Sequence, residues 1–194
     1  PNTLTLTLTG PDTVEAYEAA LRSIRFNNTS ENPDATTRTI EWNVTDVSAD
    51  SSQAQSLASA GTSSVTISAV NDAPVLTGGG NTIQFSEGDP AVVLDNAITL
   101  SDHEASAVTT VTVQLAGATG VTITNSEILE FDATASTKVT GALSNNNQTL
   151  TITQASGVTD AANSDFQALL RTVKYKNTDT ATADGNRTIT FSAV

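Results

Sequence analysis

The sequence predicts an all-β protein made of tandem β-sandwich domains, with a short helical turn in each repeat. Three observations predict it. Thr, Ser, Ala, Asn and Val dominate, aromatics are only 4% of 194 residues, and short alternating runs are divided by polar turns, which is the profile of half-buried antiparallel strands. The chain also repeats itself. Leu21-Arg22-Ser23-Ile24-Arg25-Phe26-Asn27-Asn28-Thr29 returns as Leu170-Arg171-Thr172-Val173-Lys174-Tyr175-Lys176-Asn177-Thr178, and Arg38-Thr39-Ile40 as Arg187-Thr188-Ile189, both at an offset of 149. A period that long exceeds a solenoid repeat and matches a whole domain. Finally, one segment in each copy switches from strand alternation to helical spacing.

The window is out of phase with the repeat. Thr3-Leu4-Thr5-Leu6 aligns best with Thr149-Leu150-Thr151-Ile152, an offset of 146 that leaves three extra residues between Gln154 and Asn163. Residues 1–70 therefore read as the C-terminal part of one domain, 71–74 as a linker stiffened by Pro74, and 75–194 as most of the next domain. Val194 corresponds to Thr45, so the stretch from there to Val70 has no second copy. The expectation is that the second domain lacks its last strand and that the polypeptide, or a neighbouring molecule, continues past both ends.

In chain order, Thr3–Thr9 alternates Leu and Thr and reads as a half-buried strand. Val14, Tyr17, Leu21 and Ile24 then fall at helical spacing, with Asp12 and Glu15 as a capping box. Strands follow at Ile24–Asn27, Thr37–Asp46 and Thr62–Val70. In the second copy they fall at Thr82–Ser86, Ala97–Leu100, Val108–Leu115, Val121–Thr124, Glu127–Phe131, Thr137–Leu143 and Thr149–Thr153. Gly78-Gly79-Gly80, Asn145-Asn146-Asn147 and Asp184-Gly185-Asn186 supply turns. Ser164-Asp165-Phe166-Gln167-Ala168-Leu169-Leu170 is the second helical turn, boxed by Ser164 and Gln167. Strands Thr172–Lys176 and Arg187–Val194 close the chain. Tyr17 and Phe166 are expected to plug core ends, and Trp42 and Phe191, at equivalent positions, to belong to the core.

Charge narrows the function. With 21 acidic and 8 basic residues the net is −13, which disfavours nucleic acid and anionic lipid. Excess carboxylate suits divalent cations, or simply a solvated acidic face. Cysteine is absent, so no disulfide can hold the fold and its core, metal ions or both must. No apolar run reaches the ~20 residues of a membrane span, and no signal peptide is visible. Oxygen ligands gather around the linker in sequence. They are Asp46 ending a strand, Asn71 and Asp72 in the linker, Glu87, and Asp102 with Glu104, whose i, i+2 spacing points both carboxylates one way on extended backbone. Calcium takes six to eight such oxygens. The alternative is that these residues only cap turns.

Asn71-Asp72-Ala73-Pro74, then Ser86-Glu87-Gly88-Asp89, then Asp102-x-Glu104, together with the recurring Leu21–Thr29 and Arg38–Ile40 blocks, resembles the cadherin-like tandem repeats of giant bacterial surface adhesins of the RTX/VCBS type. The resemblance spans essentially the whole chain. It implies a Greek-key, cadherin/Ig-like β-sandwich, export to the outside of a Gram-negative cell, and calcium at the domain junctions. The chain departs from the family in having Asp102-x-Glu104 in place of Asp-x-Asp, and Asp46-Val47-Ser48 in place of an Asp-Gly turn. The mechanism implied is mechanical: calcium offsets repulsion between carboxylates at a joint and stiffens it.

Three functions remain open. One is a stalk repeat of a large adhesin, whose partners are neighbouring repeats and whose other domains would meet cell-surface or matrix polysaccharide. Another is a filament subunit in which identical chains complete one another by β-strand addition. A third, ranked last, is a carbohydrate-binding module, which needs exposed aromatics that 5 Phe, 2 Tyr and 1 Trp scarcely provide. No enzyme is expected: the sole histidine, His103, sits in an acidic turn, and no nucleophile elbow or phosphate loop occurs. A Lys138 crosslink to Asn125 or Asn145 has no supporting motif.

Overall fold

In a computed structural model the chain divides into two compact units, Pro1–Ala69 and Val70–Val194. The structure describes residues 4–47, 54–56, 61–103, 108–180 and 184–194, with backbone only at 46–47 and 54–56. Among the described residues the fold is all-β, with two short helices.

The first unit holds α1 (Val14–Ser23), β1 (Arg38–Trp42), β2 (Thr45–Val47), β3 (Ala54–Ser56) and β4 (Gly61–Val65). Helix α1 is longer than the one or two turns expected, and its N-cap is Thr13, not Asp12. The Thr13 hydroxyl accepts the Ala16 N–H at 3.3 Å, while Asp12 accepts the N–H of Thr13 itself at 2.8 Å. Thr13 wins because an N-cap must precede the first helical residue by one position and reach back to N3. β1 pairs antiparallel with β4, setting Trp42 opposite Gly61 and Ile40 opposite Ser63. The Trp42 indole N–H donates to Ser63 Oγ at 2.9 Å, a partner the polar end of a half-buried indole needs. β2 and β3 form a second pair. No described residue of this unit is buried.

The second unit contains β5 (Val75–Thr77), β6 (Val92–Val93), β7 (Thr99–Ser101), β8 (Thr110–Gly117), β9 (Glu127–Glu130), β10 (Val139–Ser144), β11 (Thr149–Gln154), α2 (Asn163–Leu170), β12 (Lys174–Asn177) and β13 (Arg187–Ala193). A four-stranded antiparallel sheet runs β10-β11-β8-β13, a three-stranded one β6-β12-β9, and β5 pairs with β7. The β10–β11 connection uses Asn145, Asn146 and Asn147 at φ 50, 52 and 63°, a left-handed run that asparagine tolerates better than other non-glycine residues.

Both sheets feed one core. Val111, Val113, Leu150 and Ile152 from the larger sheet and Leu129 from the smaller are fully buried, and α2 adds Phe166, Leu169 and Leu170. Each such aliphatic side chain contributes about 1.5–3 kcal/mol on burial, which explains why this unit is the well-packed one. The N-cap of α2 is Ala162, not Ser164: the Asp165 carboxylate accepts the Ala162 N–H at 2.9 Å. Phe166 plugs the core as expected, whereas Trp42 and Phe191 are only half-buried and Tyr17 spans from α1 to the Gly10 carbonyl.

The sequence repeat is also structural. α1 and α2 begin at Val14 and Asn163, and β1 and β13 at Arg38 and Arg187, both 149 apart. The strand expectations at residues 4–9, 24–27, 82–86 and 121–124 were not met; these segments are without regular structure. Leu4 and Leu6 are 99% and 67% exposed. The same pattern at β11 is central and paired on both sides. Alternation specifies a strand only where neighbours supply a ladder and a buried face.

Candidate functional site

The predicted cation ligands fall as follows. Asp46 lies in β2 opposite Gln55, with its side chain outside the described residues, and Glu104 lies outside them altogether. Asn71 is exposed and its amide donates to the Asp72 carbonyl at 2.9 Å; Asp72 is half-buried. Asp102 follows β7 directly and is half-buried. Because Val75 pairs with Ser101, one further step of the register sets Asp102 beside Pro74, so the linker and Asp102 share one end of the β5–β7 pair. Glu87 is exposed at the tip of a tight turn held by Asp89, whose carboxylate accepts the Ser86 N–H at 2.7 Å, with Gly88 at φ +84°. Asp89 is thus a turn cap, as the alternative for these acids requires. Among the described residues no three His, Cys, Asp or Glu side chains converge on one metal position. Asp72 and Asp102 offer hard oxygen donors of the type calcium takes, and a full shell needs further donors.

Two buried carboxylates outside that set organise the second unit. Glu127, at the start of β9, is wholly buried and chelated by Arg187 of β13: Nε reaches Oε2 at 2.5 Å and Nη2 reaches Oε1 at 3.0 Å. The Tyr175 hydroxyl donates to Oε2 at 2.9 Å and the Thr124 N–H to Oε1 at 3.2 Å. Burial raises the Glu127 pKa, but Arg187, Tyr175 and Thr124 outweigh it and hold the carboxyl below its ordinary range. Burial first, and then the bond to Glu127, push the Tyr175 phenol up to about 12. This carboxylate is fully engaged in bonding, so its chemistry is that of a clasp between the two sheets, not of an acid or base.

Asp95 is the other. It is 6% exposed and accepts the Gly79 N–H and the Ala97 N–H, each at 2.7 Å. Those two backbone bonds, led by Gly79, depress its pKa. They fix the Gly78-Gly79-Gly80 run, where a Cβ on Gly78 would lie 2.7 Å from Asp95 Oδ2. Beside the clasp opens a cleft of about 720 Å³, lined by residues 79–85, 184–189 and Phe191.

Neither buried acid was anticipated as a site residue. Asp95-Asn96 carried only an Asx-turn signal. Arg187 carried a better one: in a chain with few cations, an arginine recurs at Arg38 and Arg187. Recurrence at matched positions calls for a partner, although Arg38 takes the Asp34 carbonyl at 3.1 Å instead.

No protein-family model, curated protein or solved structure matches this chain. Among the described residues no helix is long and apolar enough to cross a membrane.

Proposed function

We propose that this chain is a structural segment of a large bacterial surface adhesin: tandem Greek-key sandwiches outside the cell, stiffened where they join by calcium. The observation that carries the reading is the 149-residue repeat, which recurs in sequence and in its helix and strand starts. Nothing in such a module has to react; it has to hold a length. Asp72, shortly before β5, and Asp102, directly after β7, would supply the first oxygens, with Asn71, Glu87, Glu104 and Asp46 as the remaining donors. A divalent ion there would offset carboxylate repulsion and restrict the joint.

The test is calorimetric titration of the chelated protein with calcium. Saturable heat is expected for the wild type and its loss for Asp102→Ala. Equal heat from both proteins would remove Asp102 from the site, and no heat from either would remove calcium from the function.

A second reading, a filament subunit completed by strand addition, is favoured by one feature: β13 stands at the edge of its sheet with the cleft beside it.

A further inference from the structure

We propose that the β13 edge and the adjacent cleft form an acceptor groove for one extended strand, and that its occupant is the Gly61–Val70 segment of another copy of this repeat. The proposal gives the strand-addition reading a defined segment and register, and it is independent of calcium.

The edge is the first observation. Thr110 and Val194 exchange N–H···O bonds at 3.1 and 2.9 Å, and Asn186 accepts the Ala118 N–H at 3.1 Å. Even-numbered residues of this strand therefore turn their backbone groups toward β8, and alternation turns those of Ile189, Phe191 and Ala193 outward. Among the described residues no strand pairs with that outer edge. The side chains of these same residues face inward and pack on the core.

The cleft is the second. Its lining includes residues 82–85, within the Thr82–Ser86 segment whose alternation predicts a strand and which has no ladder. β13 and this strand-competent segment thus line the same cleft, with Gly79 at its end close to Phe191, where a Cβ would lie 3.0 Å from the ring. A strand laid between them would stand ~4.8 Å from β13, covering Phe85, Val92, Ile189 and Phe191.

The occupant is identified by the repeat. β1 is the counterpart of β13, and β1 has its partner: β4, with Gly61 opposite Trp42, Ser63 opposite Ile40 and Val65 opposite Arg38. Carried over, the register sets Gly61 opposite Phe191, Ser63 opposite Ile189 and Val65 opposite Arg187. The small residue then meets the large ring, as it does in the first unit, where a Cβ on Gly61 would sit 3.6 Å from Trp42 Cβ. Glycine and serine are poor strand formers alone, so the groove, not the segment, must impose the conformation.

The experiment titrates the isotope-labelled full chain with a synthetic peptide of residues 61–70, in calcium and in chelator. Saturable shifts and slowed hydrogen exchange are expected at the amides of Ile189, Phe191 and Ala193, with shifts at Ile83 and Phe85 across the cleft. A Ser63→Pro peptide loses an N–H aimed at Ile189 and is expected to bind at least about tenfold more weakly; Ser64→Ala is expected to bind within about twofold. No change at those amides at millimolar peptide, or equal binding by a scrambled or Ser63→Pro peptide, overturns the proposal. Since calcium binding is read by calorimetry, either idea can fail while the other stands.

Discussion

Glu127 shows how much one buried side chain can govern. Its carboxylate is the common acceptor for Arg187, Tyr175 and a backbone N–H, so Glu127→Ala would leave a guanidinium, 11% exposed, without its counter-ion. Breaking a buried pair from one side typically costs about 3–5 kcal/mol, and urea unfolding followed by Tyr175 hydrogen exchange should register it. Replacing both partners by leucine should cost far less. The pH dependence follows from the directions of the shifts. Glu127 and Asp95 have folded pKa values below their unfolded ones, so their stabilisation is complete above the ordinary carboxylate pKa of ~4 and is lost as pH falls through the depressed values. Asp95→Asn should flatten the acid limb of a stability–pH curve; an unchanged limb would mean the Gly79 and Ala97 bonds persist without charge. Packing is tested at Gly141, where a Cβ would come within 2.7 Å of the Phe131 ring. Gly141→Ala should cost about 1–3 kcal/mol by overpacking. Surface pairs such as Arg22–Glu18 and Lys138–Asp160 are screened by solvent, and their removal should leave stability nearly unchanged.

At the scale of elements, the two copies of the alternating Leu–Thr strand form a natural control. Leu150 is fully buried between β10 and β8, whereas its counterpart Leu4 is 99% exposed. Leu150→Ala should therefore destabilise by about 2–5 kcal/mol and Leu4→Ala by less than ~0.5 kcal/mol, in parallel denaturant titrations. This pair also shows what was legible in the sequence. Period-two runs located β8 to β11 and β13, because each has a partner on the ladder. The same signal failed at residues 4–9 and 82–86, because pairing is a property of two segments and the pattern reports one. Helix positions were legible from apolar spacing; their caps were not, since Thr13 and Asp165 cap with side-chain oxygens and neighbouring Asp12 and Ser164 carry the same kind of acceptor. Of the site, the acids around the linker were legible as acids, but the Glu127–Arg187–Tyr175 clasp was not, because its members are separated by 48 and 60 residues.

On the scale of the whole molecule, stability is distributed unevenly. Every residue of the buried core belongs to the second unit, while the described residues of the first are exposed or half-buried. Native-state hydrogen exchange should therefore protect Val111, Val113 and Ile152 most strongly and leave the β1–β4 amides weakly protected. Limited proteolysis should cut first within the first unit. Comparable protection in both units would show that the first gains stability from something other than its own packing.

The Glu127 clasp has one further consequence, for heat. It joins β9 and β12 of one sheet to β13 of the other, with Tyr175 and Arg187 lining the cleft, and the desolvation penalty of an ion pair shrinks on warming while apolar stabilisation levels off. As temperature rises, this seam between the sheets should keep its shape while the oily interior loosens, making it the last part of the second unit to melt.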